Sequence, residues 1–528
     1  MNRFSLSTYL PKWTYLSLLF VILSFTTVGA QWAVEPENSN DSCTSIMVGR
    51  LATTDGSVIT CHTCDAYYRV WVDIKPAADY PEGAVNTIYK GAMHTKFASD
   101  TRNLVVAGEI PQARHTYSFL NVSYPGMNEH QLGIGETTFG GRRELRSQKG
   151  IFQIEELERL ALERTTNCRD AIKLIGELVA EYGYCDSGEC ITIVDPKEVW
   201  HVEIMGAGPE TCGGVWAAVR IPDDHVGISA NICRISLLDL DNPDYFMASE
   251  NVHSLAIEKG WWDPDSGEPF KFWKAYSGGK PFGIREYWVL NQLAPSLKLK
   301  YDAEELPFTV KPDEKVSVQQ VMEMYRTTYA GSEYDYMKNL TVNGEVTPAL
   351  NAWMLNSNRN LKNLLNALHP DAVGQRFRPI AVEYCAYSTV IQSRDWLPDA
   401  IGGITWLGFD NPALSPRIPI YAGCTELPRT FHVGDKNEFR RDSAAWAFRR
   451  VAKLSYMNWA VSSKMIEATL KKYEEKAFAE MPAIEKKALQ LHQENPEKSR
   501  EFLTQYSNDF ARTLVQKYWE LGDRILEK

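Results

Sequence analysis

Cys43-Thr44-Ser45-Ile46-Met47-Val48-Gly49 is the stretch on which the reading of this chain turns. Residues from Ser45 to Arg50 alternate weakly, Asp55-Gly56 is a turn signal, and Ser57 to Cys61 resumes an extended apolar pattern. Together they predict a β-hairpin beginning at Cys43. Cys43 stands just past an export-type segment and a short polar stretch. Cleavage between Ser42 and Cys43 would leave one residue carrying both a thiol and a free α-amine. An α-amine titrates at about 7.7–8.0 and a thiol near about 8.5, so a proton moves between them at little cost at neutral pH. Nucleophile and base are then built into a single position.

Upstream, Arg3 and Lys12 supply positive charge, Tyr15 to Phe25 is almost wholly apolar, and Val28-Gly29-Ala30 is a small-residue cleavage site. Residues 1–30 are expected to be a signal peptide and 31–42 a propeptide or flexible leader. The mature protein is then extracytoplasmic: periplasmic, secreted or lumenal. The apolar run is short for a membrane span, and no later segment is apolar enough for one. No stable membrane insertion is expected after signal cleavage. The formal net charge of −11 argues against nucleic acid as a partner. Homo-oligomerisation is left open. Ten cysteines fit an oxidising compartment. Cys61-x-x-Cys64 and Cys185-x4-Cys190 read as disulfides or free buried thiols. The second spacing is loose and no histidine cluster supports it, so neither a metal nor any cofactor is expected.

Leu132 to Phe139 reads as a glycine-rich strand. Ile154, Leu157, Leu160 and Ala161 share one helical face, as do Ile172, Ile175, Leu178 and Val179. Ile191–Val194 and Val199–Ile204 flank the turn Asp195-Pro196-Lys197-Glu198, and Trp216–Ile221 with Val226–Ala230 are expected to complete a meander. Strands, a helix pair and strands again suggest layered sheets with helices outside, an α+β chain. Residues 240–310 are dense in Pro, Gly, Trp and Asp and read as a loop-rich insertion walling a site. Within them Asp263-Pro264-Asp265-Ser266-Gly267 lacks the ligand ladder of a calcium loop and reads as a turn. From about Glu438 the chain is helical, with Pro482 and Pro496 marking breaks between helices. Phe502, Tyr506, Phe510, Leu514 and Tyr518 form a stripe that reads as core.

No G-x-S-x-G elbow, Walker A loop or H-E-x-x-H pair is present, and Gly133, Gly135 and Gly140 do not fit dinucleotide spacing. What is present resembles a known family in several places and in order. Cys43 to Gly49, then Thr54-Asp55-Gly56-Ser57 and Asp65, resembles the start of the PepD-type dipeptidases, cysteine members of the N-terminal nucleophile hydrolase superfamily. Gly126-Met127-Asn128-Glu129 is similar both to these and to their relatives, the bile-salt hydrolases and penicillin V acylases. Trp216 to Asp224 with Ala230-Asn231, and Trp406-x-Gly408 leading to Pro419-x-Tyr421-Ala422-Gly423, match the dipeptidase pattern. The matching segments run from Cys43 to roughly residue 460.

The resemblance implies a four-layer αββα N-terminal nucleophile hydrolase fold with a helical C-terminal region. It implies a catalytic domain over 43–433, a packed helical region over 434–528, and hydrolysis of small peptide substrates at dipeptide amide bonds. Cys43 would attack the carbonyl with its own α-amine as base. Asp65 matches the acidic position that orients that amine, and Asn231 the side-chain donor of an oxyanion hole. Glu136 or Thr138 would meet the substrate amine or wall the pocket, with a structural role in the strand as the alternative. Arg220 and Arg234 are candidates for a substrate carboxylate, with structural ion pairing as the alternative. One departure stands at His62, where the family often has Arg. A histidine lowers a nearby thiol's pKa only when protonated, and its alternative is a structural role. Two other readings stay open: an amidase of the bile-salt or penicillin type, and a secernin-like interaction protein without catalysis. Asn121-Val122-Ser123 and Asn339-Leu340-Thr341 are glycosylation acceptors if the host glycosylates exported proteins.

Overall fold

Strand pairing starts where the alternation does. In the computed structural model, which describes residues 43–528 apart from Tyr67 and Asn103, β1 (Ser45–Val48) and β2 (Val58–Cys64) pair antiparallel with Val48 opposite Ile59. The expected signal peptide and leader lie outside the described residues. Both strands are buried along their whole length. Cover on both faces explains why alternation in β1 is weak.

The glycine-rich strand forms as β3 (Gly133–Gly140), followed by α1 (Ile154–Arg164) and α2 (Cys168–Tyr182) on the apolar stripes. Asn167 caps α2 by accepting the Asp170 N–H at 3.0 Å. Then β4 (Gly188–Val194), β5 (Val199–Gly206) and β6 (Gly214–Arg220) build an antiparallel meander on β3. The expected last strand of that meander, β7 (Val226–Ser229), leaves it. It pairs with β1 in another sheet, with Ser45 opposite Ser229. Periodicity marks a strand but does not name its partner. The turn at Pro222–His225, closed by the His225 N–H on the Pro222 carbonyl (2.9 Å), redirects the chain. It does so by passing over Gly49, where a Cβ would lie 2.4 Å from the Asp223 carbonyl oxygen.

Two sheets result. The first runs β8-β6-β5-β4-β3, with β8 (Phe246–Ala248) at the edge. The second has seven strands in the order β9-β7-β1-β2-β10-β11-β12, where β9 is Thr309–Val310, β10 Tyr387–Ser393, β11 Ile404–Phe409 and β12 Ile418–Tyr421. They pack on one another through a polar seam. Thr60 and Thr192 share a hydroxyl hydrogen bond of 2.6 Å, Thr137 bonds Ser229, and the Ser45 hydroxyl donates to the Glu136 carbonyl. Gly135 lets the sheets close, since a Cβ there would come within 2.6 Å of the Cys61 carbonyl oxygen.

Helix α2 packs on β5 and β6, with Gly176 against the Trp216 ring. The 240–310 segment is less loop-like than expected. It holds short helices and α3 (Ile284–Leu293), which packs on β7. Asp263 to Gly267 is a turn around a 3₁₀ helix. Further on come α4 (Val318–Met324), α5 (Ala444–Ser455), α6 (Trp459–Glu494) and α7 (Pro496–Leu526). Pro496 opens α7 at its first position, where no N–H is needed. Pro482 does not break a helix; it sits inside α6. The cost of a proline inside a helix, about 3 kcal/mol, is outweighed by packing of α6 along α7. In α7, Phe510, Leu514 and Tyr518 are core, with Phe502 and Tyr506 packed at its margin.

All ten cysteines are described and all carry free thiols. Cys61 and Cys64, three apart on one strand, face opposite sides. The Asn121 acceptor is buried, its amide bound to Arg69 and Asp73 at 2.6 Å each, whereas Asn339 is exposed. Among the described residues no helix is long and apolar enough to cross a membrane.

The crossing at Gly49 yields a prediction. Gly49→Ala forces a methyl against rigid backbone and should lower stability by about 1–3 kcal/mol, read as a drop in the urea midpoint. An unchanged midpoint would show that the crossing tolerates the methyl.

Candidate active site

The register of β1 on β7 assembles the site. Continuing antiparallel pairing two residues beyond Ser45–Ser229 sets Cys43 opposite Asn231. The Cys43 backbone N–H donates to Asn231 Oδ1 at 2.9 Å. Asn231 holds φ at 65°, in the left-handed region that asparagine tolerates better than most residues. Its Nδ2 donates to the Thr138 carbonyl on β3 at 2.7 Å. Its Oδ1 also accepts from Arg285 Nη2 at 2.8 Å. Arg285, on α3, donates through Nη1 to the Cys43 carbonyl (2.5 Å) and the Thr44 hydroxyl (3.0 Å), and through Nη2 to the Ala230 carbonyl (2.8 Å). Tyr325, just past α4, donates its hydroxyl to the Thr44 carbonyl at 2.6 Å. The residue that follows the thiol is thus held on every side.

Asp65 acts one step further along. The Thr44 N–H donates to Thr63 Oγ1 (2.9 Å), and that hydroxyl donates to Asp65 Oδ2 (2.8 Å). Arg378 pairs with the same oxygen at 2.7 Å. The Asp65 backbone N–H faces the Cys43 thiol, and Asp65 Oδ1 is buried without a partner.

His62, Glu136 and the thiol form a cluster whose ligating atoms all lie within 4.8 Å of one another. His62 Nδ1 lies 2.8 Å from the Glu136 carbonyl oxygen and 3.2 Å from the Glu136 nitrogen. Two bare lone pairs at the shorter distance would repel, so Nδ1 carries the proton and donates to the carbonyl. Nε2 is left as a buried acceptor with no partner. Thr138 donates its hydroxyl to Glu136 Oε1 at 3.1 Å.

Burial governs the charges. It pushes the Cys43 thiol well above its ordinary value, and Glu136, Cys64 and Asp65 push the same way. Burial raises Glu136 to about 7. Burial and Glu136 together raise Glu189, on the neighbouring strand β4, well above the carboxylate range. Burial lowers His62 to about 4, so the ring is neutral near pH 7 and lends the thiol no positive charge. Burial and Arg378 bring Arg285 down to about 10, which leaves it charged. Burial therefore favours the protonated thiol at rest.

Of the residues singled out in the sequence, Cys43, His62, Asp65, Glu136, Thr138 and Asn231 come together. Arg220 and Arg234 are committed elsewhere. Arg220 pairs with Glu198 (3.0 Å) and Asp223 (2.6 Å). Arg234 donates to the Ile228 and Pro307 carbonyls. Sequence reasoning missed Arg285, Tyr325, Arg378 and Glu189. A signal existed only for Glu189, an acid inside an apolar strand.

Two packed sheets bury a thiol, an imidazole and acids in one hydrogen-bonded cluster of an α+β protein, a candidate active site. The sequence profile of peptidase family C69 matches residues 42–472, and the chain belongs to that family. Among relatives, a probable dipeptidase of Latilactobacillus sakei is 25% identical over 409 residues, covering 74% of this chain and 76% of its own length. One of Salmonella dublin is 27% identical over 409 residues, covering 72% and 81%. Dipeptidase A of Lactobacillus helveticus is 21% identical over 465 residues, covering 84% and 87%.

His62 and Glu136 oppose each other in pH dependence. A histidine lowered to about 4 from 6.5 withdraws stability as pH falls through that window. A carboxyl raised from 4.5 to about 7 adds stability over nearly the same fall and loses it as pH rises through 7. Each contributes about 2 kcal/mol between pH 7 and 5. His62→Asn should therefore gain stability relative to the parent protein on acidification to pH 5, and Glu136→Gln should lose it. Urea midpoints at the two pH values measure this; parallel shifts in both variants would refute the assignment.

Proposed function

We propose that this protein is an exported cysteine-type dipeptidase, built as a four-layer αββα N-terminal nucleophile hydrolase. Cleavage after Ser42 would make Cys43 its first residue. The observation that carries this reading is the grip of Asn231 Oδ1 on the Cys43 nitrogen, in a pocket where the thiol is held protonated. A thiol in that state needs a base, and an α-amine on the same residue is one. The orphan Asp65 Oδ1 supports the reading, because a buried carboxylate oxygen without a partner suits an additional N–H donor. The family match beginning at residue 42 and the dipeptidase names of the relatives support it too.

In this mechanism Cys43 Sγ attacks the peptide carbonyl while the α-amine takes the thiol proton. The Asn231 Nδ2 hydrogen not bound to Thr138 steadies the oxyanion. The amine then gives its proton to the leaving nitrogen, the C–N bond breaks and a thioester remains. Water, losing a proton to the same amine, releases the acyl product and restores the thiol. Glu136 and Glu189 offer a dipeptide's free ammonium a carboxylate in a site of low polarity, which favours short substrates with an unblocked amino end.

Mass spectrometry of the exported protein should find Cys43 as the first residue; a start at Gln31 with an unreactive Cys43 would overturn the reading. Cys43→Ser should lose most hydrolysis and Cys43→Ala all of it. Asn231→Ala should lower kcat about 100-fold or more. Assays should show cleavage of dipeptides. Turnover of only a conjugated bile salt and penicillin V would instead mark an amidase.

A further inference from the structure

We propose that Cys43, His62 and Glu136 together form a zinc-binding site that masks the thiol. The three side chains offer one sulfur, one nitrogen and one oxygen donor, all within 4.8 Å of one another and all buried. Zinc bonds of about 2.0–2.3 Å at tetrahedral angles need donors about 3.3–3.8 Å apart, so modest side-chain contraction closes the set. A thiolate, an imidazole and a carboxylate suit zinc rather than magnesium or calcium, which demand oxygen shells. The fourth position remains for water.

The imidazole is prepared in the way metal-binding histidines usually are. Its Nδ1–H is fixed on the Glu136 backbone carbonyl at 2.8 Å. That selects the tautomer with a bare Nε2 lone pair and sets the ring's orientation. Nε2 has no protein partner, and neither has Glu136 Oε2. Two unpartnered buried acceptors beside a thiol are costly as they stand, and one cation satisfies both. This site is separate from the Cys61–Cys64 and Cys185–Cys190 pairs considered in the sequence. Binding exchanges the S–H bond for an S–Zn bond, with the proton released to solvent. Zinc would then hold the sulfur lone pairs needed for attack. That last consequence rests on Cys43 being the nucleophile; the binding does not.

The test uses the full-length protein as exported, stripped with a chelator. Competition against a chromophoric zinc chelator should give one equivalent of tight binding. Cobalt in place of zinc should show a thiolate-to-cobalt charge-transfer band together with the visible bands of tetrahedral cobalt. His62→Gln and Glu136→Gln should each weaken zinc binding at least tenfold while remaining folded by thermal melt. Cys43→Ser should abolish the charge-transfer band. Zinc should protect Cys43 from alkylation, resolved by peptide mass, while exposed Cys212 stays labelled. One equivalent should suppress dipeptide hydrolysis, and chelator should restore it. Absence of stoichiometric binding, or binding undiminished in both Cys43→Ser and His62→Gln, would overturn the proposal. Zinc binding in a protein that hydrolyses no dipeptide when metal-free would leave the site standing and reject the dipeptidase reading.

Discussion

A single side-chain amide holds the pocket together. Asn231 takes the Cys43 N–H, gives an N–H to Thr138 and accepts from Arg285. It thereby joins the head of β1, the end of β3 in the opposite sheet, and α3. Each of these contacts requires the others. The left-handed backbone at Asn231 aims the amide back at Cys43, and the β1–β7 register sets the distance. Losing the amide would leave buried donors and acceptors on three elements without partners, each costing about 1–3 kcal/mol.

Around that joint the sheets meet through hydroxyls and carbonyls as well as through apolar side chains such as Met47, Val58 and Ile391 against Val194 and Val199. Thr60 with Thr192, Thr137 with Ser229 and Ser45 with Glu136 turn the seam into a hydrogen-bonded surface. Such bonds are directional, so they fix the lateral position of one sheet on the other more tightly than apolar contact does. The pocket lies along this seam. Its geometry is accordingly a property of the sheet packing and not of any one loop.

The charges follow from the same enclosure. Low polarity favours the protonated forms of the thiol and Glu189 and the neutral form of His62, while Arg285 stays charged and Arg378 pairs with Asp65. If Cys43 is the nucleophile proposed above, its reactivity depends on proton transfer to a base at close range rather than on a standing thiolate. On the proposed reading, that base exists only after the leader is removed, which would keep the unprocessed chain inert.

Much of this was legible in the chain. The Asp55-Gly56 turn with its flanking extended runs placed β1 and β2, and the two apolar stripes placed α1 and α2, because local periodicity and turn chemistry are written residue by residue. Cys43, Asp65 and Asn231 stood out through family motifs. Other features depended on partners far away in the chain. The apolar run Val226–Ser229 marked a strand, but only the crossing over Gly49 sent it to β1 and put Asn231 beside Cys43. Arg285 lay in a stretch whose composition suggested loops. Pro482 carried a helix-breaking signal that packing along α7 overrode. Local sequence thus placed many of the strands and helices and singled out Cys43 as the candidate nucleophile. Folding in three dimensions decided which sheet each strand joins, which arginines reach the Cys43 backbone and the Asp65 carboxylate, and what burial does to the charges, because those depend on contacts between residues far apart in the chain, such as Asp65 and Arg378, 313 positions apart.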